Sequence, residues 1–244
     1  SAARMKGKLK RRWPLNEAQI CVKKNQKIKL ESLSDLLKSQ LNVEKFNIIE
    51  TETENGLEQL LELKELGLPV KSKLELERKK IGPKAKQYMG KLVSTFSETN
   101  PEEIISALQK EGKYDFKIDD EIISLDKEDF IVDFDASENF AVANRDEFIV
   151  FISTLRNKEM MAKGLVKDVA RRLQTLRKER GYNPTDVLEV ASILELDDES
   201  LEMIKQRDEE LAFLVRVKKV NFEKSCKEYK DDDIDGQKIR ISVE

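Results

Sequence analysis

The sequence predicts an α+β fold in which small mixed α/β units flank a module of antiparallel sheet and two helices, the whole joined by a long amphipathic helix. Three observations predict it. Short β-branched or aromatic runs alternate with helical repeats along the 244 residues. Five such runs follow one another closely between Tyr114 and Ile152. One stretch, Arg156 to Tyr182, holds helical spacing for about six turns. Within it Leu165, Val166, Val169, Leu173 and Leu176 make one apolar face, and Gly181 supplies a stop before Asn183-Pro184. Lys163, Lys167, Arg171 and Lys178 fall in a narrow arc opposite that face, flanked by Arg172 and Arg177. The plain reading of this ridge is a solvated surface with an Asp168–Arg172 i,i+4 pair; the sharper reading is a polyanion contact. The apolar face is expected to lie between the middle sheet module and the last α/β unit.

In chain order, SAARMKGKLKRRWPL reads as the end of a helix whose start lies upstream and which breaks at Trp13-Pro14, because proline pushes the residue before it out of the helical region. Glu17 to Val22 alternates like a strand, Ser34 can cap a short helix through Leu36, Leu37 and Leu41, and Val43 to Glu50 is a second strand. Leu57, Leu60, Leu61 and Leu66 repeat helically before Gly67 and Pro69. Val70 to Glu77 follows as a strand, Pro83 stands near the first position of a helix, and Asn100-Pro101 opens another that ends at Gly112. The runs from Tyr114, Ile122, Phe130, Phe140 and Phe148 are expected to form one small antiparallel sheet, with their phenylalanines in its core.

After the long helix come a strand near Val187 to Ile193, a helix capped by Asp197 or Asp198, a strand from Val215 to Phe222, and a hairpin turning at Asp235-Gly236 into Ile239, Ile241 and Val243. The boundaries are placed at 1–14, 15–68, 69–155 and 156–244. Residues 1–50 and 160–222 share one plan, a basic helix feeding strand-helix-strand, and Ala3-Arg4, Leu9, Lys10 and Arg11 align in kind with Ala170-Arg171, Leu176, Arg177 and Lys178.

Composition excludes much chemistry. There is no histidine, and the two cysteines, Cys21 and Cys226, are far apart, so a Cys/His zinc site and a Ser-His or Cys-His dyad are ruled out. Both cysteines are expected in the core. No apolar run approaches a membrane span and no signal-peptide core is present, so a cytoplasmic location is the default expectation.

The net charge of −3 conceals segregation. Residues 1–12 carry six Lys/Arg and no acid, and residues 71–91 and 158–180 carry eight each against two and three acids. Residues 98–149, by contrast, hold sixteen acids against five bases. Cationic segments alternating with acidic ones point to RNA, since phosphate contact gains from counterion release while acidic surface limits indiscriminate binding.

RMKGKLKRRWPL resembles the segment that closes the helical anticodon-binding bundle of isoleucyl-tRNA synthetases of the archaeal and eukaryotic type. Ile81-Gly82-Pro83-Lys84 is similar to the LGPK element of that family's C-terminal extension, MMAKGLVKDVARRLQTLRKERGYNPTD to its basic helix, and DIDGQKIRIS to its terminal hairpin. The motifs are collinear from Arg4 to the C-terminus. The segment Glu50 to Leu66 is longer and more acidic than the family pattern.

The resemblance implies the C-terminal region of an isoleucine–tRNA ligase, a class I enzyme of protein biosynthesis whose parent uses ATP and magnesium. The HIGH and KMSKS signatures are lacking here, so this region would be non-catalytic and need no cofactor of its own. Its expected partners are isoleucine tRNA, near the anticodon, and the upstream catalytic and anticodon-binding domains. Arg4, Lys8, Lys10, Arg11 and Arg12 would meet phosphates or bases, with Trp13 the candidate for stacking. Lys79, Lys80, Lys84 and Lys86, and the ridge Lys163, Lys167, Arg171 and Lys178, would meet phosphates. Two other readings stand beside this one: a structural brace or protein-interaction module without RNA contact, and an independent enzyme holding a divalent cation on Asp119, Asp120 and Glu121 or on Asp231, Asp232, Asp233 and Asp235.

Overall fold

The structure, a computed structural model, describes residues 2–9, 13–145 and 148–244. The first unit opens with helix α1 (Ala2–Lys6) and strand β1 (Leu15–Val22). Helices α2 (Lys24–Glu31) and α3 (Ser34–Leu41) lead to β2 (Val43–Glu50), which pairs in parallel with β1. The chain then leaves the unit for α4 (Gly56–Glu65), β3 (Val70–Leu76), α5 (Arg78–Ala85), α6 (Met89–Glu98) and α7 (Pro101–Glu111). Next come β4 (Lys113–Ile118), β5 (Glu121–Asp126) and β6 (Phe130–Ala136), with β3 paired to β6 and β4 to β5, both antiparallel. These elements bury Leu60, Leu63, Ile81, Leu92, Ile104, Phe116 and Leu125 together. Asn100 caps α7 through its side chain, with Pro101 at the first turn and Gly112 left-handed at the end, as the sequence predicts.

The one small antiparallel sheet expected from the runs between Tyr114 and Ile152 is not formed: β4–β5 and β3–β6 are separate two-stranded sheets, and the runs at Phe140 and Phe148 join neither. They form the hairpin β7 (Phe140–Arg145) and β8 (Phe148–Ser153), and β8 pairs antiparallel with β1, giving a first sheet of order β2-β1-β8-β7. The period-2 pattern is right, but alternation says nothing about which strand a hairpin will pair with. Helix α5 also differs from expectation. It starts at Arg78, with Pro83 inside it, and ends where Lys86 turns to φ 44°.

Helix α8 (Lys158–Glu179) leads into β9 (Leu188–Leu194), α9 (Asp198–Lys205), α10 (Asp208–Val215) and β10 (Val217–Asn221), the last parallel to β9. A hairpin of β11 (Lys230–Ile234) and β12 (Gln237–Val243) closes a second sheet of order β10-β9-β12-β11. The strand expected from Val215 begins at Val217, because α10 runs through Val215.

The two sheets have one topology. In each, a helix leads into a strand, two eight-residue helices return to a parallel partner, and a hairpin adds antiparallel on the other side. In the second unit the hairpin follows soon after β10; in the first, the middle module stands between β2 and β7. Correspondence extends to single residues. Leu15 N–H donates to the Asn42 carbonyl at 2.9 Å, and Leu188 N–H to the Arg216 carbonyl at 3.0 Å. Asn42 and Arg216 both have left-handed backbones, at φ 52° and 56°.

Each leading helix ends in the same way. Lys8 and Gly181 are left-handed, and Leu9 N–H bonds the Arg4 carbonyl as Tyr182 N–H bonds that of Arg177. The repeat expected from the sequence is therefore present, but in a different alignment. Arg4 corresponds to Arg177, not Arg171.

These two arginines carry the plan. Arg177 is 5% exposed; its guanidinium donates to the carbonyls of Val215, Arg216 (3.0 Å), Asn183 (3.2 Å) and Asp186 (2.7 Å). Arg4, 8% exposed, donates to Leu41 (2.6 Å), Asn42 (3.4 Å) and Trp13 (2.8 Å), the same three regions of the first unit. A charged fork inside the fold is stable only with its donors satisfied, and carbonyls at a helix end are natural acceptors.

The sheets differ on the face turned from the leading helix. In the first unit Cys21, Val142, Ile149 and Phe151 join the core of the middle module. The strand positions matching Ile149 and Phe151 in the second unit are Arg240 and Ser242. There Ser242 bonds Arg180, and Ser192, beside it, bonds Tyr229 at 2.9 Å. Apolar residues stand where the module docks, and hydrogen-bonding residues where the chain folds back on itself.

Arg177→Lys keeps the charge but loses the fork, and is expected to cost about 3 kcal/mol, measured by urea unfolding. Burial, with Glu62 adding to it, pushes the Cys21 thiol up to about 12. At pH 8 only about one part in ten thousand is thiolate, so Cys21 should resist iodoacetamide in the native protein and react in urea, as read by mass spectrometry.

Candidate nucleic-acid interface

Helix α8 is set by its ends. The Asn157 side chain accepts from Met160 N–H at 2.7 Å, Glu159 lies in the first turn, and Arg177 and Lys178 lie in the last, matching the helix dipole. Val166, Val169, Leu173 and Leu176 pack into the core of the second unit. The expected burial against the middle sheet module is corrected: the other buried side of α8, at Gly164 and Asp168, meets Trp13 of the first unit.

Trp13 is clasped there. The Arg156 guanidinium lies 3.7 Å over its ring, its indole N–H donates to the Asp168 carboxylate at 3.2 Å, and its Cδ1 would stand 2.9 Å from a Cβ at Gly164. A cation on an aromatic face and a buried acceptor hold the ring in one plane. The structure thus places Trp13, half-buried, in a joint between the first unit and α8. Arg4, spent on backbone carbonyls, leaves the set of surface cations. The expected Asp168–Arg172 pair is also replaced: Arg172 donates to the Asp168 backbone carbonyl at 3.0 Å and to the Asp233 carbonyl at 2.8 Å, while the Asp168 carboxylate, on a residue 1% exposed, serves the indole.

The ridge divides in two. Lys163 pairs with Glu159 at 2.9 Å and Glu44 at 3.1 Å, whose hydrogen bonds hold its ammonium pKa above the ordinary lysine range, and Lys167 donates to the Asn42 side chain at 3.1 Å. These contacts fasten α8 to the start of β2 and the turn before it, beside a cleft of about 470 Å³ that Lys38 also lines. Arg171 and Lys178 are exposed, and no acidic partner meets either among the described residues.

In the middle module Lys84 bonds Asp129, only 2% exposed, and Asp126 at 3.0 Å; both hydrogen bonds raise its pKa. Lys80 lies 3.6 Å from Glu128. Lys79 and Lys86, with Lys8 of the first unit, are exposed without an acidic partner among the described residues. Lys10, Arg11 and Arg12 lie outside the described residues. No group of three or more Cys, Asp or Glu able to hold a metal ion occurs among the described residues, and no helix there is long and apolar enough to cross a membrane.

What sequence reasoning missed is which cations are already engaged. Helical phase places Lys163 and Arg171 on one face, but Glu44 comes from a strand more than a hundred residues earlier. The one advance signal is Gly164, a helix-weakening residue in mid-helix, which marks the close approach of another group.

Gly164→Ala gains helix propensity of about 1 kcal/mol but drives a methyl into a ring that cannot swing away. A net loss of about 1 kcal/mol is expected, together with a red shift in the emission of Trp13, the only tryptophan.

No protein-family model matches the chain. Among curated proteins, isoleucine–tRNA ligase of Clostridium kluyveri is 25% identical over 244 residues, all of this chain and 22% of the relative. Isoleucine–tRNA ligase of Methanocella arvoryzae is 25% identical over 255 aligned residues, again all of this chain and 21% of the relative. That of Saccharolobus solfataricus is 25% identical over 99% of this chain and 23% of the relative. The chain spans about a fifth of the length of these relatives. The similarities agree with the resemblance carried by the motifs: along its whole length the chain is similar to a stretch of isoleucine–tRNA ligases that makes up about a fifth of those proteins.

Proposed function

We propose that this chain binds and positions tRNA as the C-terminal region of an isoleucine–tRNA ligase, taking no part in the chemistry of aminoacylation. The observation that carries the reading is the set of exposed cations without acidic partners, Arg171 and Lys178 on one helix face with Lys8, Lys79 and Lys86, in a chain related to a tRNA ligase throughout its length. Phosphate contacts made from rigid helices fix the register of a bound RNA, and specificity for isoleucine tRNA then comes from unstacked loop bases. ATP, magnesium and the amino acid belong on this reading to upstream domains, which are also its covalent partners.

A second reading is favoured by a specific observation. Lys163 and Lys167 are spent on Glu44 and Asn42 of the first unit, the pattern of a brace that holds two units together. The two readings part at Arg171 and Lys178, which brace nothing.

Replacing both with glutamine should weaken binding of isoleucine tRNA and flatten the slope of log affinity against log salt by about 0.7 to 0.9 for each phosphate no longer neutralised, measured by filter binding. Unchanged affinity and slope would leave the brace as the function.

A further inference from the structure

We infer that the outer face of α2 and α3 is a docking surface for an amphipathic helix that continues the line of α1 beyond its N-terminal end. The inference rests on the reading of this chain as part of a longer synthetase, and names a surface through which its upstream region is held. The internal repeat supplies the argument. The helices α3 and α10 each span eight residues and end at the matching left-handed residues Asn42 and Arg216, while α2 and α9 each span eight and stand two residues earlier. Counting back, Leu41, Leu37 and Leu30 occupy the positions of Val215, Leu211 and Ile204.

In the second unit those three are at most 1% exposed, in one core with Val166, Val169 and Leu173 of α8. In the first unit neither α2 nor α3 has a buried residue. Leu41 is 37% exposed and Leu37 and Leu30 are half-buried where their counterparts are fully buried; Leu36, Ile28 and Leu33 of the same helices and their connection are exposed as well, at 57%, 74% and 48%, at positions where the second unit has Glu210, Glu202 and Arg207.

The reason lies in the leading helix. Since Arg4 matches Arg177, α1 corresponds only to the last turn of α8, and the segment Lys158–Gln174, which covers α9 and α10, has no counterpart. The termination of α1 already matches that of α8, so a helix entering along its axis lies across α2 and α3 as α8 lies across α9 and α10. Its chemistry follows from the surface. It should present apolar side chains at i, i+3 and i+7, as Val166, Val169 and Leu173 do.

Hydrogen–deuterium exchange on residues 24–41 tests this in the full-length enzyme and in the 244-residue chain. Exchange should be at least about tenfold slower in the full-length enzyme. Leu37→Asp with Leu41→Asp should abolish that protection while leaving thermal unfolding of the 244-residue chain unchanged. Ala2→Pro should also abolish it, because proline is tolerated where a helix begins and breaks one that runs through. Equal exchange in both proteins overturns the inference, as does protection that survives Ala2→Pro. A lower melting temperature for the aspartate variant of the 244-residue chain overturns it too, and so does a dimer of that chain which the variant dissolves. Failure of the tRNA reading would show only in affinity and its salt slope, leaving these exchange results standing.

Discussion

A buried guanidinium at the end of a leading helix is the constraint on which both sheet units depend. Arg177 gathers carbonyls from the end of α10, from the turn before β10 and from the loop before β9. One side chain therefore sets where the helix ends, where the strand begins and where its parallel neighbour enters. Arg4 does this in the first unit. Hydrophobic burial alone would allow the helix to slide along the sheet; a planar donor fork with fixed acceptors does not.

Around this device the two units have been put to different uses. The second is closed on itself, with α8 on one face of its sheet and hydrogen-bonding residues such as Ser192, Ser242 and Tyr229 on the other. The first is open. Its sheet receives α1 on one face and the middle module on the other, through Cys21, Ile149 and Phe151. Trp13, held by Arg156 and Asp168, joins the two units, so the orientation of one to the other is set by an aromatic ring in a polar clasp.

Much of this was legible in the sequence, because local rules acted locally. The cap at Asn100, the amphipathic face of α8 and the turn at Asp235-Gly236 follow from residue types at fixed offsets. Pairing partners did not follow. Nothing local to Phe148 says that β8 will lie beside β1, and nothing in α2, which has almost no amphipathic pattern, announces a helix. The repeat was visible in outline, yet matching by side-chain kind set Arg4 beside Arg171. The true correspondence is carried by backbone geometry, a left-handed Lys8 against a left-handed Gly181, which residue type hides. The basic residues were legible as a set. Their division into engaged and exposed members depends on acids supplied from elsewhere in the chain, as Glu44 is to Lys163 and Asp129 to Lys84.

The placement of the middle module between β2 and β7 bears on how the protein reaches its structure. In the second unit Ala191 meets Val243 across α9, α10, β10 and β11, a far shorter span than the one in the first unit. In the first, Ala18 must find Ile152 across the whole module, and the entropy of that closure is offset only if the intervening chain is already compact. A compact module between β2 and β7 shortens the effective span that the β7–β8 hairpin must close to reach β1. Because β8 follows the module in the chain, one edge of β1 has no partner strand until residues beyond the module have been made, and an unpaired strand edge is a site at which wrong pairing competes.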